Sequence, residues 1–161
     1  MSHSLPTRLS PELVPEPLWG LSAYRLLGRG SKWKRIREDA LRVASNRCSV
    51  CGDATNQLQC NEQWRYDDKR GIAELIAFVI LCHHCHLVTH MGRAIAHGYG
   101  DQALSHLAAV NGVTHSQAKA IVAEAMRRWR ARSSRSWKVA VAQGLLDKYP
   151  QLVVLVDQKR G

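Results

Sequence analysis

The sequence predicts an α+β domain, and three observations carry that prediction. Two short apolar runs, "LQCNEQW" and "AFVILC", have the length and the aromatic and branched content of strands. Segments before and after them repeat apolar residues at helical spacing. Two C-x-x-C pairs, Cys48/Cys51 and Cys82/Cys85, lie in distant parts of the chain, where one metal ion can staple two turns together. A length of 161 residues suits one domain with a small appendage and a sizeable core.

The first 19 residues hold four of the five prolines, Pro6, Pro11, Pro15 and Pro17. That spacing forbids a helix and predicts an extended arm that packs through Leu18 and Trp19. "LSAYRLL" adds a helical turn, and "GRGS" punctuates it. From Ser31, read as the cap, a helix follows in which Trp33, Ile36, Ala40 and Val43 form one buried stripe. Lys32, Lys34, Arg35, Arg37 and Arg42 fill its other side, either as a solvated face or as phosphate contacts.

"CSVCG" reads as a tight turn closed by Gly52. The two strand runs are expected to pair antiparallel, with the polar "RYDDKRG" as a long connection. "HHCHLVTHMGRAIAHG" reads as a helix that puts His86 and His90 one turn apart on the same face. "DQALSHLAAVNG" should stop at Asn111-Gly112, and "THSQ" is a capping box of Thr114 and Gln117. Ala118, Ile121, Val122, Ala125 and Trp129 make the apolar stripe of the next helix, whose polar side and end carry Arg127, Arg128, Arg130 and Arg132. A strand over Trp137–Ala142, a short helix "GLLDKY" and a terminal strand "QLVVLV" complete the reading.

The formal net charge is +10. A basic surface concentrates polyanions, so nucleic acid is the expected partner. No apolar run approaches the ~18 residues of a membrane span, and no membrane partner is expected. The N-terminal stretch lacks the charged head and apolar body of a secretory signal, which points to a cytoplasmic chain. In a reducing compartment the four paired cysteines are metal ligands rather than disulfides. Four thiolates close a tetrahedral zinc site and leave no position for water or substrate, so such a zinc is structural. A rubredoxin-type iron centre and coincidental buried cysteines are the alternatives. Cys60 is left over, as a small core residue or a soft ligand. His83 and His84 read as surface or phosphate-contacting residues, whereas His86 and His90 can converge on a second cation or share a helix face incidentally.

Taken together, W-x-x-I-R, C-x-x-C-G, L-x-C-x-E-x-W-x-Y-D-D and L-C-x-x-C-H-x-V-x-H-x-G resemble the HNH endonucleases, in particular a group of bacterial and phage proteins with a zinc-knuckle ββα-metal core. The resemblance implies a proline-containing arm over 1–28, an HNH-like zinc-binding ββα-metal domain over 29–98, and a helical extension over 99–161 packed on it. It further implies a hairpin and following helix that hold one catalytic cation, Mg²⁺ or Mn²⁺, with His86 in a ligand position and His90 as a second contributor. The implied activity is hydrolysis of DNA phosphodiester bonds. One position departs from the pattern: the family reads C-H-E on the first strand, where this chain reads Cys60-Asn61-Glu62. An amide orients water but has no basic nitrogen, so Asn61 is expected to slow cutting by about 10²–10⁴ unless Glu62 or a nearby histidine substitutes. The alternatives are an inactive zinc-stabilised DNA-binding protein on the same scaffold and a zinc-scaffolded adaptor for a protein partner. Expected DNA contacts are Lys32, Lys34, Arg35, Arg127, Arg128 and Arg132.

Overall fold

A β-hairpin carries the architecture. In the computed structural model, which describes residues 7–55 and 57–158, β1 (Gln59–Asp67) pairs antiparallel with β2 (Ile72–Leu81). The register shifts between Gln63 and Trp64, where Ile76 bulges out of β2. The bulge changes the alternation of β2, so that Ala73 and Leu75 before it and Phe78 after it share one core. Leu81, with Val79 packed beside it, belongs to the other core.

The expected long connection is instead a tight turn. "RYD" continues β1, and Asp67 Oδ1 accepts the Lys69 and Arg70 N–H groups at 3.1 and 2.9 Å. Gly71, at φ +65°, closes the turn through its N–H to the Asp67 carbonyl at 2.8 Å. Polar residues stay in the strand because they have partners there: Arg65 pairs with Glu74 across the hairpin, and Tyr66 meets Trp137 edge-on.

Before the hairpin come a single 3₁₀ turn (Glu16–Leu18), α1 (Ala23–Leu27) and α2 (Ser31–Val43). The N-cap of α2 is Gly30 in extended conformation rather than Ser31, which is already helical. Ile36 is buried as expected, but Val43, two turns on at the same angle, is 80% exposed, so the core under α2 stops short of its last turn. The buried side also holds Asp39, whose Oδ2 accepts the Tyr149 hydroxyl at 2.6 Å. That hydrogen bond, opposed by desolvation but aided by Arg42 and Lys148, holds the Asp39 carboxyl below the usual range. A lowered pKa favours folding above about pH 4, where the unfolded chain's aspartate is ionised, and the benefit is lost as pH falls through the folded-state value. Tyr149→Phe is therefore expected to lower Tm near pH 7, with the gap from wild type closing as the pH falls through the lowered folded-state value of Asp39. An equal gap in melts above and below that value would assign the loss to packing instead.

After β2 the chain forms α3 (His83–Thr89), α4 (Met91–Ala96), α5 (Gly100–Asn111) and α6 (His115–Ser133). The helix expected over 83–97 is two, broken at His90, whose ψ of 49° leaves the helical range. α5 ends on Gly112 in the left-handed region, and the Thr114/Gln117 capping box opens α6 as expected. β3 (Lys138–Val141) then returns to pair parallel with Ile72–Leu75 of β2. The order is β1-β2-β3. The fold is therefore α+β with a three-stranded sheet.

The predicted terminal strand is helical: α7 (Gln143–Lys148) leads into a 3₁₀ turn (Pro150–Leu152) and α8 (Val153–Asp157). Leu152 and Leu155 are both fully buried. In a strand, residues three apart face opposite sides, and one leucine would lose about 1.5–3 kcal/mol of burial. A helix buries both.

The arm is extended over residues 7–15, as its prolines require; Pro6 lies outside the described residues. It is tied down at several points, Arg8 to the Val50 carbonyl and the Val14 carbonyl to Trp129 among them. Asn111 exchanges two hydrogen bonds with the backbone of Leu9, at 3.0 and 2.7 Å; Glu12 N–H donates to the Thr89 carbonyl at 2.9 Å; and Leu18 is buried. Trp19 packs differently from expectation, 63% exposed with one face toward Trp129. No helix among the described residues is long and apolar enough to cross a membrane.

Candidate metal centre and the adjoining cleft

The first knuckle turns back at Gly52, whose φ of +77° suits glycine, with Cys48 N–H donating to Asp53 O and Gly52 N–H to Cys48 O. Ser49 N–H donates to the Ile80 carbonyl at 2.7 Å and fixes this turn against the end of β2. The second knuckle is the start of α3: Cys82 is its N-cap, and its sulfur accepts the Cys85 N–H at 3.5 Å.

Four sulfurs, from Cys48, Cys51, Cys82 and Cys85, thereby lie within 4.8 Å of one another, and Cys51 and Cys82 Sγ are 3.6 Å apart. A tetrahedron with metal–sulfur bonds of about 2.3 Å has sulfur–sulfur edges of roughly 3.8 Å, so the donor set fits one ion. Electrostatics agree. Burial and the neighbouring cysteines push Cys82 up to about 11 and Cys85 further still. At Cys48 burial acts in the same upward sense, but N–H groups of Cys51, Cys82 and Val50 outweigh it and bring the thiol down to about 7. Four clustered thiolates need a cation among them. The four cysteines are thus positioned to hold a metal ion such as zinc.

A residue that sequence reasoning did not single out stands behind this cluster. His106, on α5, has Nε2 at 3.2 Å from Cys85 Sγ, and its ring lies 5.4 Å from that of His84. Hydrogen bonds of this kind orient a thiolate ligand. "SHL" in a helix gives no spacing signal toward residue 85. His84 is exposed and His83 half-buried.

α3 turns its other side to a cleft of about 490 Å³. There the His86 and His90 rings meet edge-on, with centroids 4.5 Å apart, and Asn61 of β1 faces them. Asn61 Nδ2 donates to the Glu62 carbonyl at 3.0 Å, which turns Oδ1 toward His90 Nε2 at 3.1 Å. Burial, then the other positive groups, keeps both imidazoles neutral: His86 is pushed down to about 4, and His90 also falls. A neutral His90 must therefore donate from Nε2 to Asn61, which leaves Nδ1 with the lone pair.

Glu62 is committed elsewhere. Its carboxylate accepts the Ala23 N–H at 2.5 Å and the Trp64 indole N–H at 3.2 Å, and so anchors the first turn of α1. Burial raises its pKa. Cys60, also on the cleft wall, is half-buried and its thiol is pushed up to about 12 by desolvation, so it is neutral near pH 7.

The basic residues divide into three groups. Lys32, Arg35 and Arg128 are exposed and enter no ion pair among the described residues. Lys34 pairs with Glu38, and Arg127 with Glu124. Arg132 grips Asp68 with two hydrogen bonds of 2.8 Å and lies over the Tyr66 ring, so it ties α6 to the hairpin turn. The cleft itself is lined by Arg25, Arg37 and Arg93, of which Arg37 alone was weighed as a phosphate contact, with the basic face of α2, and none is among the six expected DNA contacts. Position in a motif was the available signal: Arg37 ends W-x-x-I-R, and Arg93 follows H-x-G.

No protein-family model matches the chain, and no curated protein and no solved structure shows significant similarity to it.

Proposed function

We propose that this chain is an HNH-type, metal-dependent DNA endonuclease whose cutting is slowed by Asn61, with a structural zinc on Cys48, Cys51, Cys82 and Cys85. The observation that carries the proposal is the meeting of Asn61, His86 and His90 in one basic cleft, on a hairpin and helix joined by the cysteine cluster. The His86 imidazole and the Asn61 amide oxygen would hold a divalent cation there and leave the His90 lone pair free, a mixed set that suits Mn²⁺ better than Mg²⁺, which prefers oxygen. A divalent cation held there supplies Lewis-acid stabilisation of charge developing on a phosphate. Arg25, Arg37 and Arg93 hold the phosphodiester, and Lys32, Lys34, Arg35, Arg127 and Arg128 extend the positive surface along a duplex. With Glu62 engaged by α1, the unprotonated Nδ1 of His90 is the remaining proton acceptor near Asn61.

The test is nicking of supercoiled plasmid with Mg²⁺ or Mn²⁺. Wild-type protein is expected to nick slowly, and His86→Ala to abolish the activity while the variant still melts cooperatively. Nicking that survives His86→Ala unchanged, or occurs equally in chelator, would overturn the assignment.

A second reading has its own support. Both ends of the Asn61 amide are hydrogen-bonded within the protein and Glu62 is anchored to α1, so the two strand positions closest to the chemistry are structural. This reading makes the chain a DNA-binding protein on a nuclease scaffold. Duplex binding that weakens steeply with salt, with no cutting in any divalent metal, would select it.

A further inference from the structure

Beside the cleft runs a second and larger groove of about 790 Å³, and the two share Glu12, Arg25, His90 and Arg93 among their walls. The groove is therefore an extension of the cleft, with His90 and Arg93 at the junction. Its character differs. The cleft wall is about half polar, whereas the groove is mostly apolar, walled by Leu13, Leu18 and Met126 and by two indoles.

The indoles are held in a fixed arrangement. Trp19 and Trp129 lie nearly parallel, 19° apart with centroids 6.4 Å from each other, and both indole N–H groups donate to the same Val14 carbonyl, at 2.9 and 3.1 Å. That shared acceptor locks Trp19 on the arm, yet Trp19 remains 63% exposed. An exposed ring fixed in a groove whose other walls are apolar and whose end is charged is the kind of patch that marks a binding site. Arginines next to it say what binds. Arg25 and Arg93 sit at the end of the groove nearest the cleft, Glu12 is the one acidic residue in its wall, and the chain carries +10 overall. A flat π-face next to guanidinium groups suits a ligand with alternating aromatic rings and phosphates.

We infer that the Trp19–Trp129 groove is a nucleobase-stacking subsite that takes an unpaired nucleotide of single-stranded DNA flanking the phosphate in the cleft. This inference rests on the polyanion-binding reading of the cleft and adds a substrate preference to it. Duplex DNA keeps its bases stacked inside and offers Trp19 none, whereas a single strand, a frayed end or a branch does. The subsite therefore favours DNA with unpaired bases over an intact duplex of equal charge.

The test measures anisotropy of three labelled probes on the whole protein: short oligothymidylate, an abasic chain of equal length and charge, and a duplex. Wild type is expected to prefer oligothymidylate to the abasic chain. Trp19→Ala should weaken oligothymidylate binding about 5- to 150-fold, the effect of losing one base–aromatic stack, and leave the abasic and duplex probes within about twofold. Trp19→Phe, which keeps a ring but loses the hydrogen bond to Val14, should retain most of the affinity. Equal weakening of all three probes by Trp19→Ala, or none, would overturn the subsite while leaving the cleft reading intact. Failure of wild type to bind any probe would overturn both. A wild-type dimer dissolved by Trp19→Ala in sedimentation would assign the groove to a second copy and overturn the nucleotide.

Discussion

Cys85→Ser is expected to remove the bound metal and lower Tm by about 8–16 °C. The reasoning starts from linkage. An ion present at about a thousandfold over its dissociation constant stabilises the folded state by about 4 kcal/mol, and in a chain of this size each kcal/mol moves Tm by about 2–4 °C. Cys85 is the most consequential of the four to change because it is fully buried, receives the His106 contact and lies one helical step from the cleft residue His86. Serine has the size and hydrogen-bonding capacity for the position but supplies no thiolate. Elemental analysis should find about one equivalent of zinc in wild type and almost none in the variant, and chelator should bring wild type down to the variant's Tm. Cys60→Ser provides the contrast. Its thiol is outside the cluster, so metal content should be unchanged. Wild-type protein free of metal and indifferent to chelators would refute the centre, and with it the reason for the two knuckles to meet.

Asn61→His is expected to raise the rate of plasmid nicking by about 10²–10⁴, the contribution of a positioned general base. The imidazole would stand on β1 facing His86 and His90, where the amide oxygen now accepts from His90. A base must be unprotonated to act, and the burial that keeps His86 and His90 neutral should do the same for the new imidazole, so the gained activity should persist below the range near 6.5 where an ordinary histidine takes up its proton. The substitution also removes the bond from Asn61 Nδ2 to the Glu62 carbonyl and enlarges a buried side chain, and a thermal melt of the variant separates a damaged fold from an inert site. A variant that folds, binds DNA and cuts no faster than wild type would count against a nuclease ancestry of the cleft and in favour of binding alone.

The parts of the fold legible in the sequence are those set by short-range chemistry. Gly112 and the Thr114/Gln117 box end one helix and start the next because both signals act within one turn. The two C-x-x-C pairs announced their own convergence, since two such pairs supply the four thiolates that one tetrahedral ion takes. Where the reading failed, a distant partner decided. Polar "RYDD" continues into strand and turn because Glu74 waits for it across the hairpin, and Trp137 and Arg132 far along the chain. Asp39 is buried because Tyr149 donates to it, while hydrophobic Val43 is left in water at the end of the same helix. "QLVVLV" has the composition of a strand, yet two leucines three apart had one core to enter.

In the candidate site, residue types were legible and their engagements were not. His86 and His90 do meet, as their spacing predicts. That Glu62 would be claimed by a backbone N–H of α1, or that His106 would reach Cys85 from α5, depends on how helices dock on the hairpin, and no local pattern encodes it.

The parallel pairing of β3 with β2 imposes an order on synthesis. β2 can form its hairpin with β1 as soon as both have left the ribosome, but its other edge, at Ile72–Leu75, has no mate until residues 138–141 emerge, after α3 to α6 have been made. For that interval an apolar strand offers unsatisfied backbone groups to any extended chain nearby. Truncation before β3 should consequently yield aggregates rather than a smaller soluble protein, and nascent chains arrested at that length are the ones on which a cell's chaperones would be found.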